Sequence, residues 1–133
     1  MSIFSRIFGS RNNPDLSAFL GRATVRTACK EAWIDSPEGY RLYAHVHAPV
    51  EKGRHPGVVF VPGANSPGTD YDKSGASGAA LRAEDLASCG FTVMHYDPSG
   101  SGRSGGKEDF WGPIHQRELS VVTGYFSKLP EVD

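Results

Sequence analysis

The residues with the clearest chemical potential lie in one glycine-rich stretch, Gly100–Gly106, which reads Gly-Ser-Gly-Arg-Ser-Gly-Gly. Gly102–Gly106 matches the pattern glycine–any–serine–any–glycine, in which a serine at a sharp strand-to-helix turn attacks a carbonyl carbon. Gly100–Gly105 matches glycine–any–glycine–any–any–glycine, in which a loop and a helix N-terminus bind a dinucleotide pyrophosphate. A stretch so rich in glycine meets both patterns easily, so the surrounding elements must decide between them.

Neither pattern has the helix that its chemistry requires. The preceding apolar strand ends near Tyr96, and the next helix is predicted to begin only at Pro113, a residue typical of a first helical turn. Ser104 therefore lies in the middle of a loop, where nothing would hold its hydroxyl in the strained position of a nucleophile. The same gap separates the glycines from the helix N-terminus that a pyrophosphate needs.

Histidines and acidic residues elsewhere offer two further candidates. His45 and His47 are two apart on a predicted strand, so they share one face and could present two metal ligands. No third ligand is evident nearby, and we interpret the pair as the exposed polar face of an edge hairpin. Asp70 and Asp72 could pair as acid and base, but a solvated loop is the favoured interpretation.

The hydrophobic pattern predicts two kinds of strand and two helices. The first two strands alternate apolar and polar residues, which is typical of an antiparallel hairpin with one buried face. The third is continuously apolar and the fourth is mostly apolar, as is typical of strands buried on both faces of a parallel sheet. A helix between these two, which Gly90 should end in a left-handed conformation, completes a β-α-β unit. The predicted strands span residues 24–34, 40–48, 58–61 and 91–96, and the helices span residues 76–88 and 113–129.

The order of these loops and elements resembles the N-terminal half of the α/β-hydrolase superfamily, over residues 38–133. Tyr96–Ser104 is similar to the loop after the fourth strand of that family, with Ser99 where an arginine is usual. Val58–Gly68 resembles the third strand and its oxyanion loop, with Pro-Gly where His-Gly is common.

The stretch that follows the second loop extends the resemblance. Asp109–Leu119 is similar to the approach to the helix before the nucleophile, where an acid commonly sits near Glu118. Leu129–Asp133 resembles the short phrase before the nucleophile strand in the dienelactone-hydrolase and prolyl-oligopeptidase-like branches.

This resemblance implies an α/β fold in which an antiparallel hairpin leads into a parallel sheet with flanking helices. It implies a serine hydrolase acting on a small-molecule ester, thioester or amide, with oxyanion donors at Ala64 and Asn65. The triad is expected beyond Asp133, so no catalytic residue is assigned and the chain as given is expected to be catalytically incomplete. The residues implied to shape the loop are Asp97, Gly100, Gly102 and Ser104.

Composition limits the other functions. We predict an N-terminal tail over residues 1–22 and a partial hydrolase domain over residues 23–133 that ends before the nucleophile strand. A net charge of −1 gives no case for nucleic acid. No apolar run approaches the length of a transmembrane helix and no signal peptide is evident, so a cytoplasmic protein is expected. An open sheet edge could pair with a second copy.

Two cysteines and no metal motif complete the prediction. Cys29 and Cys89 are far apart and lie in no Cys-x-x-Cys motif, so neither a disulfide framework nor a zinc or redox site is indicated. We predict no metal and no cofactor. The alternative function is a Rossmann-like module that binds a phosphate or nucleotide on Gly100–Gly106.

Overall fold

The structure, a computed structural model, describes residues 24–72 and 82–133 of the 133-residue chain. The predicted tail, residues 1–22, and the first part of the helix predicted for 76–88 lie outside the described residues. The described elements are β1 (Thr27–Asp35), β2 (Arg41–Pro49), β3 (Gly57–Phe60), a 3-10 helix (Gly68–Asp72), α1 (Ala83–Ser88), β4 (Thr92–Tyr96) and α2 (Pro113–Phe126).

The four strands form one mixed sheet in the order β1-β2-β4-β3. β1 pairs with β2 and β2 with β4 in antiparallel register, whereas β3 pairs with β4 in parallel. The prediction of an antiparallel hairpin leading into a parallel pair with helices is therefore confirmed. The hairpin of β1 and β2 lies at one edge of the sheet, but the face of β2 that carries His45 and His47 is largely covered, so the prediction that this face is exposed was wrong.

Of the two described α-helices, one packs against each face of the sheet, because successive side chains of a strand point to opposite faces. α2 covers the face that carries the alternating apolar residues of β2, and α1 covers the other face. The buried residues of the first core include Leu42, Ala44, Val46, Met94, Tyr96, Val122 and Phe126; those of the second are Ala83, Ala87 and Val93.

The helix ends follow local chemistry only in part. Gly90 has a φ of +98°, so its predicted left-handed conformation after α1 is confirmed. α2 begins at Pro113, as predicted, but ends at Phe126, three residues before the predicted end at Leu129. After it, a turn brings Val132 beside His55, and these two residues form a parallel bridge next to the start of β3. None of the described helices is long and apolar enough to span a membrane.

Candidate functional site

Asp97 joins the 3-10 helix, which follows the loop after β3, to the loop after β4. Its side chain is fully buried at the C-terminal end of β4. Asp97 Oδ1 accepts a hydrogen bond from the Thr69 N–H at 3.2 Å, and Oδ2 accepts one from the Arg103 N–H at 2.9 Å. One carboxylate therefore holds both loops at the edge of the sheet where α/β proteins bind their ligands.

The loop after β4 closes tightly around that carboxylate. Gly102 has a φ of +51°, and a Cβ there would lie 2.0 Å from Asp97 Oδ2. Gly100 has a φ of +77°, and a Cβ there would lie 2.1 Å from the Glu108 nitrogen. The Ser104 hydroxyl donates to the Asp97 carbonyl at 2.5 Å and accepts from the Tyr43 N–H at 2.8 Å. Ser104 therefore braces the loop against β2, and its hydroxyl is not free to attack a substrate.

The loop after β3 presents free backbone donors. The Ser66 N–H donates to the Gly63 carbonyl at 3.1 Å, which closes a turn around Ala64 and Asn65. Asn65 adopts a left-handed conformation with a φ of 59°. Both turn residues are exposed, and among residues 24–72 and 82–133 no acceptor bonds to their N–H groups. Either N–H can therefore donate to a bound ligand.

The Gly100–Gly106 loop lacks the features of a phosphate site. α2 begins only at Pro113, and the Asp97 carboxylate lies directly against Gly102. A phosphate site needs free N–H groups or a helix N-terminus, and a nearby carboxylate repels an anion. Five N–H groups of the loop already donate to protein acceptors: those of Gly100, Ser101, Arg103, Ser104 and Gly105.

Glu118 stabilises the same loop from the side of α2. Its carboxylate is fully buried and accepts hydrogen bonds from the Tyr40 hydroxyl at 2.5 Å and the Ser99 N–H at 3.2 Å. The His115 Nε2 lies 3.1 Å from the Ser99 carbonyl oxygen. Ser99, which stands where the resemblance leads one to expect an arginine, is thus held through its backbone.

Three imidazoles surround one carboxylate on the face of the sheet that α1 covers. His45 of β2 lies directly opposite His95 of β4, and His47 lies two residues along β2 from His45. Asp72, the last residue of the 3-10 helix, contacts all three: its Oδ2 is 2.7 Å from His45 Nδ1, and its Oδ1 is 2.9 Å from His47 Nε2 and 2.7 Å from His95 Nε2. We call these four residues the histidine cluster.

The histidine cluster is largely shielded from water. The exposed fractions of the side chains are 0% for His95, 9% for His47, 17% for His45 and 26% for Asp72. Burial raises the pKa of Asp72, but hydrogen bonds from His47, His95 and His45 outweigh it and hold that pKa far below its ordinary value. The Asp72 carboxylate is therefore ionised at neutral pH.

Two more titratable side chains border the cluster. The Tyr43 hydroxyl lies 2.7 Å from His45 Nε2 and donates to Glu31 Oε1 at 2.6 Å. Burial and the hydrogen bond to Glu31 raise the pKa of Tyr43, so its hydroxyl stays protonated. Cys29 Sγ lies 3.7 Å from His47 Nε2, and burial together with the charges of Asp72 and Glu31 raises the pKa of this thiol to about 11.

No family model and no curated protein matches the sequence. Solved structures do match. DcsB, solved in complex with its substrate analogue, superposes with a TM-score of 0.61 at 23% identity, over 80% of this chain and 34% of that one. Est1E from Butyrivibrio proteoclasticus, solved with ferulic acid bound, has a TM-score of 0.61 at 22% identity, over 77% of this chain and 39% of that one. The α/β hydrolase GrgF from Penicillium sp. sh18 has a TM-score of 0.59 at 21% identity, over 80% and 34% of the two chains.

The fold of this chain is that of one part of an α/β hydrolase. The predicted resemblance to that superfamily is confirmed at the level of the fold, and the chain spans about a third of the length of the hydrolases it matches. At such identities the likeness concerns the fold and does not separate one hydrolase branch from another.

Within this hydrolase fold, the predicted loop residues lie together and the predicted histidine pair is not as expected. Asp97, Gly102 and Ser104 contact one another, and Ala64 and Asn65 lie in the loop that Asp97 helps to hold. The interpretation of His45 and His47 as an exposed polar face without a third ligand was wrong: His47 is buried, His45 is half-buried, and Asp72 and His95 lie within reach.

Asp72 was expected in a solvated loop and is instead the centre of the cluster. The sequence signal that could have found it is the histidine at position 95, on an apolar strand where a polar residue is unusual. That signal was missed because only the order of the strands shows that His95 faces His45.

Proposed function

We propose that this chain forms the N-terminal part of a serine hydrolase that cleaves a small-molecule ester, thioester or amide. The observation that carries the proposal is the Ala64 N–H, to which no acceptor among the described residues bonds, in an exposed turn shortly after β3. In this fold one oxyanion donor comes from the loop after the third strand, and the other follows the nucleophile. Ala64 is the first donor in our proposal, with Asn65 beside it.

The packing of the turn supports this role. Oxyanion donors act by being fixed before the reaction begins, so that no reorganisation is needed as charge develops. The Ser66–Gly63 hydrogen bond fixes the turn itself, and the Thr69–Asp97 hydrogen bond ties the following segment to β4.

One trio of side chains has the composition of a catalytic triad but not its geometry. Cys29, His47 and Asp72 lie in contact, yet both contacts of the imidazole use the same nitrogen, Nε2. A triad base uses one ring nitrogen for the nucleophile and the other for the acid. The thiol is also protonated at neutral pH, since its pKa is about 11. We therefore propose that the catalytic serine, acid and histidine of the hydrolase lie in chain that follows Asp133. We also propose that the complete enzyme is most similar to the dienelactone-hydrolase and prolyl-oligopeptidase-like enzymes.

The first test is to read the coding sequence beyond Asp133. The expected result is an in-frame apolar strand followed by Gly-x-Ser-x-Gly, with an acid and a histidine further on. A stop codon directly after Asp133 would contradict the hydrolase proposal.

The second test removes the proposed donor in the full-length protein. Ala64→Pro lacks the N–H, and we expect kcat on a chromogenic ester to fall by about 10²–10³ with a smaller change in KM. Lys52→Pro, in the exposed bend between β2 and β3, is the matched control and should keep the kcat of the unmodified protein. Thermal melts should show both variants folded. An unchanged kcat in a folded Ala64→Pro variant would refute the assignment.

The phosphate-binding alternative is not favoured, because the Gly100–Gly106 loop donates its N–H groups internally. A cytoplasmic location and pairing of two copies through the open sheet edge stay predictions.

A further inference from the structure

We propose that the histidine cluster, His45, His47, His95 and Asp72, is a binding site for a single Zn²⁺ ion. The site is separate from the proposed oxyanion loop and uses none of its residues. The inference is carried by the chemistry of the four ligands, their placement on paired strands and the hydrogen bonds behind them.

The ligand set suits zinc. Three imidazole nitrogens and one carboxylate oxygen are borderline and hard donors, the combination that Zn²⁺ accepts in four-coordinate protein sites. The four ligand atoms all lie within 4.8 Å of one another. A tetrahedral zinc with bonds of about 2.0–2.1 Å separates its ligands by roughly 3.3 Å, so small side-chain rotations would complete the site.

The backbone fixes three of the four ligands. His45 and His95 are directly opposed on adjacent antiparallel strands, and His47 follows on the same face of β2. Ligands mounted on paired strands keep their geometry better than ligands on loops. Asp72 closes the fourth position from the 3-10 helix.

Hydrogen bonds outside the cluster prepare one ligand atom for a metal. The Tyr43 hydroxyl has one proton and donates it to Glu31, so its oxygen must accept from His45 Nε2–H. With zinc bound, a neutral His45 that keeps its proton on Nε2 would direct the lone pair of Nδ1, the atom that lies 2.7 Å from Asp72 Oδ2, at the metal. Such a partner behind a ligating histidine is typical of metal sites.

The charges of the cluster favour a cation. Three imidazoles converge on the Asp72 carboxylate, with Nδ1 or Nε2 atoms 2.7–2.9 Å from its oxygens. Without a metal, every one of these nitrogens must carry a proton that points at the same carboxylate. A zinc ion would let all three deprotonated nitrogens and the carboxylate point at one positive charge.

Four protein ligands leave no position for substrate, so the role of the zinc is structural. The ion would fasten β2, β4 and the 3-10 helix at a single point. The 3-10 helix follows the loop that carries Ala64, so bound zinc would also restrict the motion of the C-terminal end of that loop.

The test measures zinc binding to the full-length protein by titration against a chromogenic chelator, with metal content determined by mass spectrometry. We expect one equivalent of Zn²⁺. His47→Gln and Asp72→Asn should weaken binding by about 100-fold or more, whereas His55→Gln, which alters a histidine outside the cluster, should bind as the unmodified protein does. Co²⁺ in place of Zn²⁺ should give the intense visible absorption of a tetrahedral site.

Tyr43→Phe distinguishes a cluster that binds zinc from one that only makes hydrogen bonds within the fold. It removes the partner of His45 but no ligand, so we expect the dissociation constant to rise about 10–100-fold while the stoichiometry stays at one. Circular dichroism without metal shows whether each variant is folded, and Asp72→Asn, which keeps the shape of the side chain, decides the matter if His47→Gln does not fold. Absence of stoichiometric Zn²⁺ uptake by the unmodified protein, or unchanged affinity in a folded Asp72→Asn variant, would overturn the proposal.

Discussion

Asp97 shows how much of the site depends on single side chains. Its two carboxylate oxygens accept N–H groups from two different loops, and Gly102 has no side chain because a Cβ would overlap one of those oxygens. Backbone N–H groups form strong hydrogen bonds to carboxylates, and loss of the Asp97 side chain leaves both N–H groups without this acceptor. The loop after β3 and the loop after β4 therefore keep their relative positions through one residue.

At this scale we predict the effect of Asp97→Ala. The change leaves the Thr69 and Arg103 N–H groups without their acceptor, so the free energy of unfolding should fall by about 2–4 kcal/mol. Urea denaturation followed by fluorescence measures it. Asp35→Ala, whose side chain is 94% exposed, is the control and should change stability by less than about 0.5 kcal/mol. Equal losses in the two variants would show that Asp97 does not hold the loops.

At the scale of elements, the start of α2 depends on a residue outside the helix. Pro113 suits the first turn because it needs no hydrogen bond there, but the N-cap residue, Gly112, has no side chain to accept the next N–H groups. Asp109 supplies that acceptor: its Oδ2 accepts from the Ile114 N–H at 2.8 Å and from the His115 N–H at 3.3 Å. A negative charge at this end also interacts favourably with the helix dipole.

We therefore predict that Asp109→Ala destabilises the protein by about 1 kcal/mol, the usual value of a lost helix cap. Asp109→Asn retains an acceptor oxygen and should recover most of that loss. Urea denaturation of the two variants and the unmodified protein gives the comparison. If Asn and Ala were equally destabilising, the charge of Asp109 rather than its hydrogen bonds would account for the effect.

At the scale of the whole molecule, Phe126 links parts of the chain that are far apart in sequence. It is 5% exposed at the end of α2 and belongs to the core with Val132 and with residues of β1 and β2. Gly57 leaves room for it, because a Cβ at that position would lie 2.7 Å from the Phe126 ring. The helix, the start of β3 and the segment after α2 thus share one packed contact.

Phe126→Ala should therefore cost about 3–5 kcal/mol of stability, through lost burial and the cavity left behind. Phe110→Ala removes the same atoms from a side chain that is 67% exposed and should change stability by less than about 0.5 kcal/mol. Thermal and urea denaturation of both variants supply the measurement. A cost for Phe126→Ala near that of the control would mean that α2 is only loosely packed on the sheet.

The types of the secondary-structure elements and the positions of the loops between them could be predicted from the local sequence. The mostly apolar sequence of β4 agrees with its burial at every position, and Gly90 has the left-handed conformation that its position predicted. These properties are local, because each depends on a few neighbouring residues. The end of α2 was predicted three residues too late, since Leu129 extends the apolar stripe even though it lies in the turn that follows.

The histidine cluster forms only in the tertiary structure, because its four residues come from separate parts of the chain. The two-residue repeat of a strand predicts which face of the sheet each side chain points to, but it does not predict which strand lies next to that strand. The order β1-β2-β4-β3 sets His95 opposite His45, and the segment after β3 brings Asp72 to them from 27 residues beyond His45. Non-local pairing of this kind results from burial of the whole sheet, so the sequence pattern around His45 and His47 could not reveal it.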